Sequence, residues 1–132
     1  MGGIGAWGFS HERDLARKLW SMGYAVIRAP ASGRKACVLK YPDLVAIKNR
    51  RILVFEIKAT RSLSDIYIPR RQVEKLLEFA KRAGGEAYIA VKVIGSGKWI
   101  LIKAEDIVKV SESRFKVPVK IISTSSLLED VV

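Results

Sequence analysis

One cysteine, one histidine and four prolines in 132 residues remove several possibilities at the outset. Cys37 has no second cysteine to form an intramolecular disulfide with, and His11 alone leaves no Cys/His cluster for structural zinc. Both absences suit a reducing, intracellular compartment. A chain this long buries about two-thirds of its unfolded surface and needs neither cross-link to fold. Long hydrophobic runs are missing too: no stretch of about eighteen apolar residues exists to span a membrane. Met1–Ser10 is glycine-rich and lacks the positive start of a secretory signal, so the chain is expected to stay in the cytoplasm. Acids are scarce. Thirteen Asp and Glu face twenty-four Lys and Arg, giving a net charge of +11 and a pI near 10. That excess repels itself, and a polyanion such as nucleic acid would relieve it by exchanging condensed counterions for side chains. A ribosome-bound protein, or one selected for solubility, would show the same balance.

What is present reads as one mixed α/β domain over residues 1–132, with residues 1–9 expected as a flexible tail. Ser10 is the expected N-cap of a helix from 11 to 22, with Leu15, Leu19 and Met22 on its buried stripe and Gly23 at C′. Tyr24 to Ala29 reads as a strand, and residues 30–42 as a long basic loop. Asp43–Lys48 and Ile52–Lys58 form an antiparallel hairpin across Asn49-Arg50-Arg51, followed by a polar loop from Ala59 to Ile66. Pro69 suits N1 of a helix to Ala83 with Val73, Leu76, Leu77 and Ala80 on one face, ended by Gly84-Gly85. Glu86–Val93 and Trp99–Lys103 make another hairpin. A turn near Glu105, a strand within 114–122 and a last helix from Ser126 complete the expectation.

Alternation along a strand puts Glu56 and Lys58 on one side, with Phe55 and Ile57 on the other. A two-residue hairpin turn would set Asp43 opposite Glu56, with Cβ atoms about 5 Å apart. Two carboxylates that close repel unless a cation lies between them, and oxygen ligands suit Mg²⁺, with Mn²⁺ able to substitute. Lys58 points into the same space, where it could hold an attacking water or a phosphate. Together these make a site for phosphodiester hydrolysis. The plain alternative is a solvated salt-bridge ladder on a sheet face.

Pro42-Asp43 followed by Glu56-Ile57-Lys58 resembles the signature of the PD-(D/E)XK nuclease superfamily, in type and in order. Within it, the chain is similar to the archaeal Holliday junction resolvases from about Gly8 to Val93. The likeness is carried by Glu12-Arg13, by the run Gly23 to Gly33, and by Pro42 to Ala46. It continues through Glu56 to Lys58, Ile66-Tyr67-Ile68 and Glu78 to Gly85. After about Gly95 the chain departs most from the family. The resemblance implies a restriction-endonuclease-like core, a central mixed β-sheet flanked by helices. It implies that Glu12 joins Asp43 and Glu56 at the metal, that Ser32 of the basic loop aids cleavage, and that Gln72 supports Lys58 or a phosphate. His11, beside Glu12, is read as an exposed residue at a helix start.

Candidate DNA contacts are Arg13, Arg28, Gly33, Arg34, Lys35, Arg61, Tyr67, Arg70 and Arg71, with Arg50-Arg51 counted among the basic residues near the site. Arg70 and Arg71 lie at a helix start, where free backbone N–H groups favour phosphate. No helix-turn-helix, finger or recognition-helix array is present, so shape rather than base edges is the expected readout, as a four-way junction requires. Paired symmetric cuts by a chain with one site call for a twofold homodimer. Trp99 to Ile102, Leu127-Leu128 and Val131-Val132 are the candidate interface, and Trp7 and Trp20 could belong to it or to the core. A flap, repair or site-specific nuclease of the same superfamily, or a non-catalytic basic nucleic-acid-binding module, are the competing readings.

Overall fold

A computed structural model of the chain describes residues 4–29, 41–61, 65–109, 114–117 and 126–132. Helix α1 spans Ile4–Ser21, strand β1 Ala25–Arg28, β2 Leu44–Lys48 and β3 Arg51–Thr60. Strand β4 (Ile66–Pro69) leads into helix α2 (Arg70–Ala83), then β5 (Glu86–Val93) and β6 (Lys98–Lys103). A 3₁₀ turn at Ala104–Asp106, β7 (Val108–Lys109), β8 (Arg114–Val117), β9 (Ser126–Leu127) and helix α3 (Leu128–Val131) follow. The main sheet has the order β1-β2-β3-β5-β6-β9, and only β3 and β5 run parallel within it. Of a second sheet, β4-β8-β7, only β8 was expected, as the strand within 114–122.

Two apolar clusters sandwich the main sheet. Leu15 and Leu19 of α1 pack with Leu53, Phe55, Tyr88 and Trp99 on one face. Val73, Leu76 and Ala80 of α2 pack with Val54, Ile89 and Ile102 on the other. Strand alternation is thereby confirmed: Phe55 and Ile57 belong to the α1 side, and Val54, two residues from Glu56, to the α2 side.

The hairpin register follows from its turn. Asn49 and Arg50 have φ of 48° and 71°, the pair of positive values a type I′ turn needs. Lys48 therefore pairs with Arg51, and Leu44 with Phe55. The regular register ends there: the Asp43 N–H also donates to Phe55 O, so Asp43 and Leu44 together face Phe55, and it is the Asp43 side chain rather than strand pairing that comes close to Glu56. Arg51 is thus the first residue of β3 rather than part of the connection.

Gly23 (φ 96°) ends α1 as C′: its N–H donates to Trp20 O, and the Tyr24 N–H reaches back to Leu19 O, both at 3.0 Å. Gly84 and Gly85 close α2 by the same 5→2 and 6→1 bonds, to Lys81 O and Ala80 O. At Gly85 a Cβ would stand 2.7 Å from Ile52 O, so no side chain fits there.

Several boundaries moved. Helix α1 begins at Ile4, so Ser10 is interior, and the expected tail is helical from Ile4 onward. A capping serine is a local signal that an upstream helical turn overrides. Strand β3 continues through Thr60, because its parallel ladder to β5 extends to Thr60 opposite Val93, and the expected loop shrinks accordingly. Pro69 is the N-cap of α2 rather than N1, since it closes β4 by pairing with Arg114. Leu77 is exposed at the margin of the buried α2 face.

Candidate active site

Asp43 sits just ahead of β2, tied to both neighbouring strands. Its N–H donates to Phe55 O and its carbonyl accepts from the Ala29 N–H, each at 3.0 Å. Its carboxylate Oδ2 accepts from the Ile57 N–H at 2.9 Å, which turns the acid across the hairpin toward the Glu56–Lys58 segment. Glu56 projects from the α2 side of β3 and is only 4% exposed. Its Oε1 is buried without a hydrogen-bond partner, and its Oε2 lies 3.9 Å from Lys58 Nζ. Lys58 Nζ donates to Gln72 Oε1 at 2.9 Å, so α2 fixes the direction of the ammonium group.

The electrostatics match this crowding. Burial, then the nearby charge of Asp43, push the Glu56 carboxyl from its ordinary 4.5 up to about 8, against the opposing pull of Lys58 and Lys75. Burial and the charge of Asp43 likewise raise the Glu12 pKa, with Arg28 opposing. An acid with an orphaned buried oxygen, beside a second acid, is a place where a divalent cation would replace a repulsion with two bonds. Asp43 and Glu56 fit such an ion. The fit stops short of the full expected set: no group of three acid, His or Cys side chains among the described residues is closed enough to hold a metal by itself. Glu12 stands within electrostatic reach of Asp43 but does not complete a cage.

The structure therefore gathers Asp43, Glu56, Lys58 and Gln72, with Glu12 and Arg28 beside them. Lys75, on the same face of α2 as Gln72 and one turn further on, adds a cation that the sequence reading passed over. Helical spacing from Gln72 was the signal that would have found it. Arg61 is exposed just past β3, Arg13 is exposed on α1 next to Glu12, and Arg71 is exposed next to Gln72. Tyr67 is exposed on β4. Arg70 shares its charge with Glu74 at 2.8 Å, a surface pair that exchanges easily. Ser32, Gly33, Arg34 and Lys35 lie outside the described residues.

Three expectations are corrected. His11 is 8% exposed in the middle of α1, not at an open helix start. Arg51 is taken up at the turn end of the hairpin by Glu86, away from the acids. Trp99 to Ile102 and Leu128 are core residues, with the Trp99 side chain 1% exposed, so they offer no face to a partner. Val131 and Val132 pack half-buried against the same cluster. The Leu127 and Trp7 side chains are outside the described set, and Trp20 is 68% exposed.

Residues 5–132 match the family described as archaeal Holliday junction resolvase (Hjc). The crossover junction endodeoxyribonuclease Hjc of Sulfurisphaera tokodaii is 44% identical over 86 residues, which is 65% of this chain and 59% of that one. The Sulfolobus acidocaldarius protein of the same name is 41% identical over 95 residues, 70% and 64% of the two chains. The match thus spans less than two-thirds of the length of either relative. The Archaeoglobus fulgidus protein is 36% identical over 110 residues, 83% and 77%. Its solved structure, described as a Holliday junction resolvase from an archaeal hyperthermophile, superposes with a TM-score of 0.81 at 30% identity, covering 91% of this chain and 95% of that one. A bacterial homing endonuclease, I-Ssp6803I, shares the fold at a TM-score of 0.54 and 16% identity, over 89% and 77%.

Proposed function

This chain belongs to the archaeal Holliday junction resolvase family, and from that premise we propose that it is a metal-dependent endonuclease that resolves four-way DNA junctions by paired, symmetric nicks. The observation that carries the reading is Glu56: a buried acid with an unpartnered oxygen, set against Asp43 and one strand step from an ammonium group held by Gln72. Neither a binding module nor a salt-bridge ladder has use for paired acids facing a polyanion.

Asp43 and Glu56 would hold Mg²⁺, or Mn²⁺ in its place, with Glu12 as the third acid drawn in. When bound, the ion supplies a water acidic enough to attack at neutral pH and charge to polarise the phosphate. Glu56 must give up its proton to serve as ligand. Lys58, aimed by Gln72, stabilises the negative charge that builds on the phosphate oxygens. Arg13, Arg28, Arg61, Tyr67, Arg70 and Arg71 are read as backbone contacts that position the junction without reading its sequence. Ser32, Gly33, Arg34 and Lys35 are read as a second set of contacts, with Ser32 aiding cleavage. Residues 1–132 act as one nuclease domain on cellular DNA, in the cytoplasm.

One site per chain and two cuts per junction require a second copy. With Trp99 to Ile102 excluded, the apolar face beside α2 is the one that a partner would cover. Ile27 is 62% exposed there and Ile47 37%, and Val45, Ile52, Phe79 and Ala83 line the trench between them. Arg28 and Pro42 are on its rim, next to Asp43, so a twofold axis through this face keeps both sites on one assembly. Ile27→Glu is expected to shift the protein from dimer to monomer in sedimentation velocity; an unchanged dimer would move the interface elsewhere.

The function itself is tested by cleavage of four-way, flap and linear duplex DNA, with and without Mg²⁺. Symmetric nicks confined to the four-way junction and dependent on the metal are expected. Flap or linear cutting at equal rate would favour another nuclease of the superfamily, and binding without any cleavage a non-catalytic module.

A further inference from the structure

Glu12 differs from the other acids in how it is placed. Asp43 and Glu56 are located by backbone bonds between strands, whereas Glu12 rides on a helix whose contacts with the sheet are largely apolar. Leu15 and Leu19, fully buried beneath α1, fix its distance from the sheet but not its roll, because apolar contacts are non-directional. Side-chain atoms stand about 5–6 Å from a helix axis, so a roll of about 20° displaces them by about 2 Å. Metal ligation tolerates about 0.2 Å. Something directional must hold the roll.

Asp14 is a residue of α1 with that capacity. Two positions beyond Glu12, it faces the opposite flank of the helix, toward β5 and β6. Its Oδ2 accepts from Lys92 Nζ at 2.6 Å and from the buried indole Nε1 of Trp99 at 3.0 Å. Lys92 Nζ in turn lies 5.5 Å from the Trp99 ring centroid, and only 18% of the Lys92 side chain is exposed. One carboxylate oxygen is thus gripped by donors from two adjacent strands, 78 and 85 residues away in the chain. The donors are set by the β5–β6 register, which pairs Lys92 with Trp99 directly.

We propose that Asp14, clamped by Lys92 and Trp99, is a positioning residue that sets the roll of α1 and so keeps Glu12 on the flank that faces the Asp43–Glu56 pair, within reach of an ion held there. This rests on the reading of Glu12 as a metal ligand, and the test separates the two. Mn²⁺ affinity of the DNA-free protein is measured by calorimetry for the parent, Glu12→Gln, Asp14→Asn, Lys92→Met and the Glu12→Gln/Asp14→Asn double variant, alongside single-turnover junction cleavage. Glu12→Gln should weaken Mn²⁺ binding by about tenfold, and Asp14→Asn and Lys92→Met by most of that factor. The double variant should bind no more weakly than Glu12→Gln alone, because a displaced Glu12 and an absent one are equivalent. Junction affinity without metal should stay unchanged in Asp14→Asn and Lys92→Met.

If Asp14→Asn and Lys92→Met melt earlier yet bind Mn²⁺ and cleave as the parent does, the cluster is only structural and the proposal is overturned. Losses that multiply in the double variant overturn it as well, while leaving Glu12 in the site. If Glu12→Gln itself changes neither Mn²⁺ binding nor cleavage, the reading of Glu12 fails and the proposal with it. Should Asp14→Asn not fold, Lys92→Met and Trp99→Phe carry the same comparison.

Discussion

Two of the charged residues of strand β3, Arg51 and Glu56, have opposite fates. Arg51, at the turn end, donates twice to Glu86 at 2.8 and 3.1 Å and once to Val131 O at 3.1 Å. The bond from Arg51 holds the Glu86 carboxyl below its ordinary pKa, and the Tyr88 hydroxyl completes the set at 2.8 Å. Five residues on, Glu56 has an orphaned oxygen, an acid for a neighbour and a pKa pushed up to about 8. One end of the strand satisfies its charges and the other frustrates them. Satisfied charge ties the C-terminal helix to the hairpin; frustrated charge marks the place proposed for an ion and a substrate.

The widest separation between the two ends should appear in Glu56→Gln. Cleavage is expected to fall by at least about 10³-fold while junction binding is kept or tightened. Lost binding with unchanged cleavage per bound complex would place the chemistry elsewhere. The same variant should be more stable than its parent, with a definite sign in pH. The folded Glu56 keeps its proton between 4.5 and about 8 while the unfolded chain releases it, so this group lowers metal-free stability as pH rises through that window. Thermal melts without metal should show no gain for Glu56→Gln near pH 4.5 and a gain of about 1–3 kcal/mol at pH 8 or above. A gain that is largest in acid would contradict the frustrated-acid account. For the metal-bound form, Mn²⁺ uptake near pH 6.5 should release a proton, read as a buffer-dependent enthalpy.

Gln72→Leu should act less severely. It frees Lys58 from its 2.9 Å partner without removing the charge, and the single-turnover rate is expected to drop by about tenfold with junction affinity unchanged. An unaltered rate would mean that Lys58 needs no holding. Arg51→Ala should touch the chemistry least. With both partners partly exposed, the loss is about 1–2 kcal/mol, seen as a melting point lower by roughly 3–8 °C and a cleavage rate within twofold of the parent. A large fall in rate would erase the distinction between the two ends of β3.

Much of the hairpin was legible because its code is local. Asn49-Arg50 accepts the backbone that a I′ turn demands and the turn dictates the register as far as Leu44 and Phe55; the off-register bond from the Asp43 N–H to Phe55 O, which no turn rule foretold, leaves the Asp43 side chain to reach Glu56. Gly23 and Gly84 mark helix ends for the same reason: a left-handed residue belongs there and glycine takes it without strain. Ser10 misled because a cap is read from neighbours alone. Trp99 to Ile102 misled as an interface because an apolar run announces burial without naming what buries it; the covering came from α1, α2 and α3. Arg51 with Glu86, Lys58 with Gln72, and Asp14 with Lys92 and Trp99 join residues 14 to 85 positions apart, and no spacing rule links them.

The amino-acid sequence alone determined the period-two faces of the strands, the turn that sets the β2–β3 register, and a positive charge that calls for a polyanion. All three depend on residues within a few positions of each other or on simple sums. Tertiary structure decided which charges are satisfied, how far Glu56 is taken from water, and which flank of α1 faces the site. Those quantities depend on what the surrounding elements exclude or supply, and they come into existence only when distant segments meet.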